Sequence, residues 1–239
     1  MVRGAVSPHL VNRALKSINY QIGEGIHPQD LPSYRASSYF PKLSASSEIT
    51  DLVNETEIYP YVETLTGKNS LLSTVRGQIA LRFPISDEEP FTIRRHLDGQ
   101  WGKHEGVKKE DFGANFSVLV YVMLNDMNDT NCGNFSVWPG SHHRYEKHFK
   151  KYGADALLKG YKLAGAGEPV QITGSAGDVA LVHYQLAHGP ASNLSANIRY
   201  AVFFRLKNSA RDSYKPRALT DIWLDFPALQ GKASEESSN

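Results

Sequence analysis

Cysteine is almost missing from this chain: Cys132 is the only one in 239 residues. An intramolecular disulfide is therefore excluded, and so are thiolate metal sites of the zinc-finger kind. Long apolar runs are missing too. The opening MVRGAVSPHLVNRALKSINY holds no segment that reads as a signal h-region, and no stretch reads as a membrane span. A cytoplasmic location is the expectation. Neither sign of charge dominates, with 26 basic and 25 acidic side chains. That balance gives no reason to expect nucleic acid or a membrane as partner. No repeat, heptad or low-complexity linker divides the chain.

What is present reads as an ordinary globular protein, 41% hydrophobic and 21% charged, with enough length for a sizeable core. We expect one domain over 1–239. Its helical part covers about 7–67, its β core about 76–208, and the small polar residues of 231–239 form a disordered tail.

Three stretches carry helical spacing. Ser7-Pro8 reads as an N-cap and N1 pair, followed by Leu10, Val11, Ala14, Leu15, Ile18 and Ile22, with Gly23 or Gly25 as the stop. Residues 46–65 read as two helical pieces divided at Pro60, with Asn54 and Glu57 as a capping box. A third, basic amphipathic stretch runs near 144–159. The remaining runs are β-rich: RGQIALRFPI, TIRRHLDG, ANFSVLVYVMLND, GNFSVWPG, GDVALVHY and ANIRYAVFF. Helices come first and the strands then follow without alternating. The fold class expected is α+β, with an antiparallel sandwich or barrel at the centre and helices packed outside.

Side chains two apart on a strand share a face. His96 and Asp98 therefore lie together on TIRRHLDG. Gln78, Ala80 and Arg82 share one face of RGQIALRFP, opposite Ile79 and Leu81, so that face meets solvent or a polar cavity. If GDVALVHYQLAHG runs as one strand, Ala180, Val182, Tyr184, Leu186 and His188 also share a face. A His-x-Asp pair alone is common on surfaces. Two imidazoles and one carboxylate on one face of an octahedral metal make a facial triad, which suits non-haem Fe(II) and leaves three positions open. The chain has nine histidines to supply the second imidazole. His188 is the attractive one, since it ends an apolar strand directly before Gly189-Pro190. On the next strand, Arg199 could pair with a carboxylate held near such a metal.

The segments RHLDG, GNFSVWPGSHH, GDVALVHYQLAHG and NIRYAVFFR resemble, in order and spacing, the phytanoyl-CoA dioxygenase-like family of Fe(II)/2-oxoglutarate-dependent oxygenases. The resemblance spans most of 76–206. It implies a double-stranded β-helix, the cupin-type jelly roll, with the metal at the barrel mouth. It implies Fe(II), 2-oxoglutarate and O2 as cofactors, with His96, Asp98 and His188 as metal ligands. Arg199 would bind the distal carboxylate of 2-oxoglutarate, and Gln78 would also contact the cosubstrate. Arg82, Trp101, Trp138 and Tyr184 are the candidate pocket residues, with Arg82 placed to touch either the cosubstrate or an anionic group of the substrate. One position departs from the family. Pro190 stands where members often carry a small hydroxyl residue that helps hold the cosubstrate, which leaves that contact to Ser192 or Ser195, or leaves it unmade.

The implied function is oxidation of a small molecule's C–H bond, most directly hydroxylation, coupled to conversion of 2-oxoglutarate to succinate and CO2. Desaturation or ring formation on a biosynthetic intermediate or amino acid is the alternative outcome. A non-catalytic jelly-roll binding module is the alternative of another class. The sequence leaves the oligomeric state open.

Overall fold

The computed structural model of the chain describes residues 1–86, 89–99, 116–156, 159, 165 and 167–230. Trp101 and the 231–239 tail lie outside the described residues.

Four helices lead: α1 (Pro8–Gly23), α2 (Leu31–Ala36), α3 (Ser47–Asn54) and α4 (Ile58–Thr66). Helix α1 starts as its sequence predicts, with Ser7 Oγ accepting from Leu10 N and Pro8 in the first turn. It buries Val11, Ala14 and Ile18. The division between α3 and α4 falls at residues 55–57, not at Pro60. Pro60 sits in the first turn of α4, where its missing N–H costs no helical bond. The Asn54–Glu57 capping box does not form. Thr56 Oγ1 accepts from Ile58 N instead, and Asn54 Nδ2 donates to Thr74 O.

Seven strands follow: β1 (Gln78–Arg82), β2 (Val118–Met123), β3 (Phe135–Val137), β4 (Val170–Gln171), β5 (Val179–His183), β6 (His188–Pro190) and β7 (Arg199–Leu206). They make two antiparallel sheets, ordered β1-β7-β2-β5 and β4-β3-β6. This is the double-stranded β-helix, a jelly roll with helices packed outside it. Between β3 and β4 runs α5 (Ser141–Tyr152), which starts three residues before the basic stretch read from the sequence. A short α6 (Arg211–Tyr214) follows β7.

Alternation decides what each face of the larger sheet meets. Ile79 and Leu81 of β1 and Val202, Phe204 and Leu206 of β7 are buried with α1 and α3 in the main core. Each such side chain contributes roughly 1.5–3 kcal/mol by leaving water. The opposite face presents Gln78, Ala80 and Arg82 with Arg199, Phe203 and Arg205 to a cavity between the sheets. The polar-cavity alternative for the Gln78–Arg82 face is the one observed.

Two strand readings change. TIRRHLDG is not a continuous strand and pairs only through a single bridge, His96 with His188. Their main chains exchange both hydrogen bonds, His96 N to His188 O at 2.9 Å and the reverse at 3.0 Å. The next ladder bond toward Arg94 would need an N–H from residue 190, and proline has none. On the other side the chain turns away at Gly99, whose φ is +79°. GDVALVHYQLAHG likewise breaks after His183. There β5 leaves one sheet, and β6 joins the other. Tyr184 and His188 therefore do not share a strand face.

Candidate metal centre

His96 and Asp98 flank Leu97, and Leu97 decides where they point. Its side chain is buried with Trp138, Tyr145, Phe149 and Leu219 in a second apolar cluster. The two polar neighbours therefore turn the other way, toward the cavity. His188 is placed from the opposite side. Trp138 N donates to Ala187 O at 3.0 Å, and Ala187 N donates to Ser141 Oγ at 2.9 Å at the start of α5. The residue before His188 is thus held at both its amide and its carbonyl.

The three side chains converge although 90 residues separate Asp98 from His188. Asp98 Oδ1 lies 3.5 Å from His96 Nε2 and 3.3 Å from His188 Nε2. All three donor atoms fall within 4.8 Å of one another. Ligands at right angles on a metal, with bonds of about 2.1 Å, stand about 3 Å apart, so the spacing suits one ion. The tautomer suits it as well. His188 Nδ1 lies 3.0 Å from Leu186 O. A proton on that nitrogen satisfies the carbonyl and leaves the Nε2 lone pair for a metal. An imidazole–imidazole–carboxylate set facing an open cavity is the donor chemistry of non-haem Fe(II).

Arg205 completes the arrangement, and the sequence reading missed it. Its Nε and Nη2 both reach Asp98 Oδ2, at 3.0 and 2.6 Å, while its Nη1 donates to Gln78 Oε1 at 2.8 Å. One carboxylate oxygen is occupied and the other faces the histidines. Burial alone would raise the Asp98 pKa. The charge of Arg205 outweighs it, joined by the two histidines when their Nε2 atoms carry protons, and holds the carboxyl well below the usual range. Extending the Arg199, Ala201, Phe203 face by one more alternate residue would have found Arg205.

The cavity measures about 680 Å³. Gln78, Arg82, His96, Asp98, His188 and Arg199 all line it. Arg199 is 2% exposed. Its Nε donates to Gly133 O at 2.9 Å and its Nη1 to Ala80 O at 3.0 Å, and neither acceptor is charged. Burial lowers its pKa from the ordinary value, with the charges of Tyr121 and Tyr39 opposing.

Two pocket assignments are corrected. Trp138 is 4% exposed and packs in the second apolar cluster, away from the cavity. Tyr184 is 5% exposed, and its hydroxyl donates to Ala218 O. Among the described residues that line the cavity, neither is found; Trp138 packs in the second apolar cluster and Tyr184 in the main core. The hydroxyls considered as stand-ins at Pro190 have partners of their own. Ser192 Oγ accepts from Phe91 N at 2.8 Å, and Ser195 Oγ donates to Asn193 Oδ1 at 2.7 Å.

Gly189 lets the first ligand segment approach. A Cβ there would lie 2.4 Å from Arg94 O and 3.2 Å from Ile93 Cγ2. Gly189→Ala is expected to push residues 93–96 outward and cost roughly 1–3 kcal/mol. Thermal unfolding would report the loss, and weaker binding of Ni(II) by calorimetry would place it at the bridge.

This fold and cavity, with a two-histidine, one-carboxylate set, define a non-haem Fe(II)/2-oxoglutarate-dependent oxygenase, whose cofactors are Fe(II), 2-oxoglutarate and O2. Residues 96–201 match the phytanoyl-CoA dioxygenase (PhyH) family model. No curated protein sequence matches the chain. Among solved structures, it is similar to the non-haem monooxygenase ThoJ in a nickel complex, at 16% identity and a TM-score of 0.56, covering 87% of this chain and 72% of that one. It is also similar to the α-ketoglutarate-dependent epimerase SnoN from nogalamycin biosynthesis, at 17% identity and 0.58, covering 87% and 75%. HygX from Streptomyces hygroscopicus, with nickel and 2-oxoglutarate bound, is 16% identical with a TM-score of 0.52, covering 87% and 81%. At these identities the likeness is one of fold. Among the described residues no helix is long and apolar enough to cross a membrane.

Proposed function

We propose that the chain, acting as one oxygenase domain, hydroxylates a C–H bond of a small-molecule metabolite. His96, Asp98 and His188 hold the iron, and Arg199 anchors the distal carboxylate of 2-oxoglutarate. The observation that carries this reading is the cavity itself, which runs from the three convergent donor atoms to a buried arginine that has no carboxylate partner among the described residues. When bound, iron and 2-oxoglutarate supply the oxidising chemistry, with O2 consumed and succinate and CO2 released. The chain's residues do the rest. Each ligand offers one atom. Arg205 keeps Asp98 Oδ2 occupied, so the carboxylate would offer a metal Oδ1 alone. Arg199 fixes the cosubstrate's far end, which sets its orientation at the metal. Phe135 and Phe203, with rings 5.2 Å apart, form a dry wall beside His188 that excludes water.

A small molecule is the substrate class that a cavity of this size admits, since ligand pockets run to roughly 300–1,000 Å³. The solved relatives include a monooxygenase and an epimerase, and one scaffold supports several outcomes. Substrate pose would select among hydroxylation, desaturation and ring closure. Anaerobic addition of 2-oxoglutarate to the Fe(II) protein is expected to produce the visible charge-transfer band of the chelate. Succinate release should then rise above its uncoupled rate with one member of a metabolite panel. A wild-type protein that gives no band would overturn the assignment.

A further inference from the structure

Arg82 sits opposite Arg199 across the β1–β7 ladder, and the two Cα atoms are direct partners in the register. Both side chains leave the sheet on the cavity side. Residue 133 shows how closely they are brought together. A Cβ at Gly133 would fall 2.8 Å from the Cβ of Arg82 and 3.1 Å from that of Arg199. Only glycine fits between them, and its φ of +77° suits glycine as well. The Gly133 carbonyl then takes the Arg199 Nε.

Two guanidinium groups side by side in a cavity repel one another unless an anion lies between them. None does among the described residues. Arg199 spends two nitrogens on neutral carbonyls. Arg82 Nε is shut off from solvent and has no hydrogen-bond partner. Burial, and then the charge of Arg199, push the Arg82 pKa down to about 10. The carboxylate of the cavity, Asp98, is already held by Arg205 and the histidines. Among the described residues no hydroxyl oxygen accepts from either guanidinium, and Pro190 carries none.

We propose that Arg82 and Arg199 form a paired-arginine site for one carboxylate, the distal carboxylate of 2-oxoglutarate, with Arg82 supplying the contact that a hydroxyl at position 190 would otherwise make. This rests on the oxygenase reading above. It assigns Arg82 to the cosubstrate and not to an anionic group of the substrate. Two parallel donors on one carboxylate also fix the direction in which the cosubstrate points.

The test compares 2-oxoglutarate with 2-oxopentanoate, the same keto acid bearing a methyl group in place of the distal carboxylate. Each is titrated anaerobically into Fe(II)-loaded wild type, Arg82→Gln and Arg82→Lys, and binding is read from the charge-transfer band. Arg82→Gln is expected to weaken 2-oxoglutarate about 30-fold and to leave 2-oxopentanoate within about twofold. Arg82→Lys should recover most of the difference. Merely structural damage would weaken both acids alike, so an unchanged ratio between them in Arg82→Gln overturns the proposal. Should Arg82→Gln fail to fold, Arg82→Met takes its place, and an unchanged ratio between the two acids in that variant overturns the proposal. A wild-type protein that binds neither acid would instead overturn the oxygenase reading.

Discussion

His188→Ala is expected to lose metal binding and to lower 2-oxoglutarate turnover at least about 1,000-fold, which corresponds to roughly 4 kcal/mol of lost metal assistance. The expectation comes from how little else that imidazole does. Its Nδ1 meets the Leu186 carbonyl two residues away, and its remaining nitrogen faces Asp98. The backbone bridge to His96 uses only main-chain atoms and survives the substitution. The variant should therefore fold. Two measurements separate loss of the site from loss of the fold. Ni(II) should raise the thermal midpoint of the wild type, since a ligand bound only by the native state stabilises it, and should leave the variant unmoved. The metal-free proteins should melt within a few degrees of each other, because one truncated side chain at a cavity wall costs about 1–2 kcal/mol. A variant that still turned over 2-oxoglutarate would remove His188 from the ligand set.

Arg199→Gln is expected to weaken 2-oxoglutarate by about 30- to 1,000-fold, the cost of leaving a buried charged partner unpaired being roughly 2–4 kcal/mol. Glutamine still donates to one of the two carbonyls that Arg199 serves, so the β1–β7 pairing should persist. The metal affinity should stay close to wild type, because Arg199 touches none of the three ligands. Calorimetric titration of Ni(II), followed by titration of 2-oxoglutarate into the Ni(II) protein, reads the two affinities separately. Equal loss of both would point to a distorted barrel, and an unchanged cosubstrate affinity would remove Arg199 from the anchor.

The sequence carried the face of β1 because alternation is a local property. Ile79 and Leu81 had to go one way, and Gln78 and Arg82 the other. His96 with Asp98 was legible for the same reason. His188 was not fixed by spacing. It was chosen from nine histidines on its place before Gly189-Pro190, and the family resemblance supplied the rest. The strand breaks escaped because their causes are distant in sequence. VALVHYQLAH reads as one apolar run, yet Gln185 N turns back onto His183 Nδ1 at 3.0 Å, and the Tyr184 hydroxyl is drawn to Ala218. The second of these contacts reaches a segment more than thirty residues downstream, which no local pattern reports. Arg205 was missed because a partly exposed arginine at the end of a strand looks like any other. Only the folded chain brings Asp98 across to it.

Strand β7 works as a ruler. It carries Arg199, the proposed cosubstrate anchor, at one end and Arg205, which clamps Asp98, near the other, on one face, with no loop between them. Their separation along the chain, about 20 Å at about 3.3 Å per residue, is set by counting residues. A slip of one residue would turn both arginines away and bring Val202 and Phe204 inward, so the spacing is kept in register or lost altogether. Loops at the mouth can change length without altering that gauge. Substrate range can thus drift while the distance from anchor to metal stays constant.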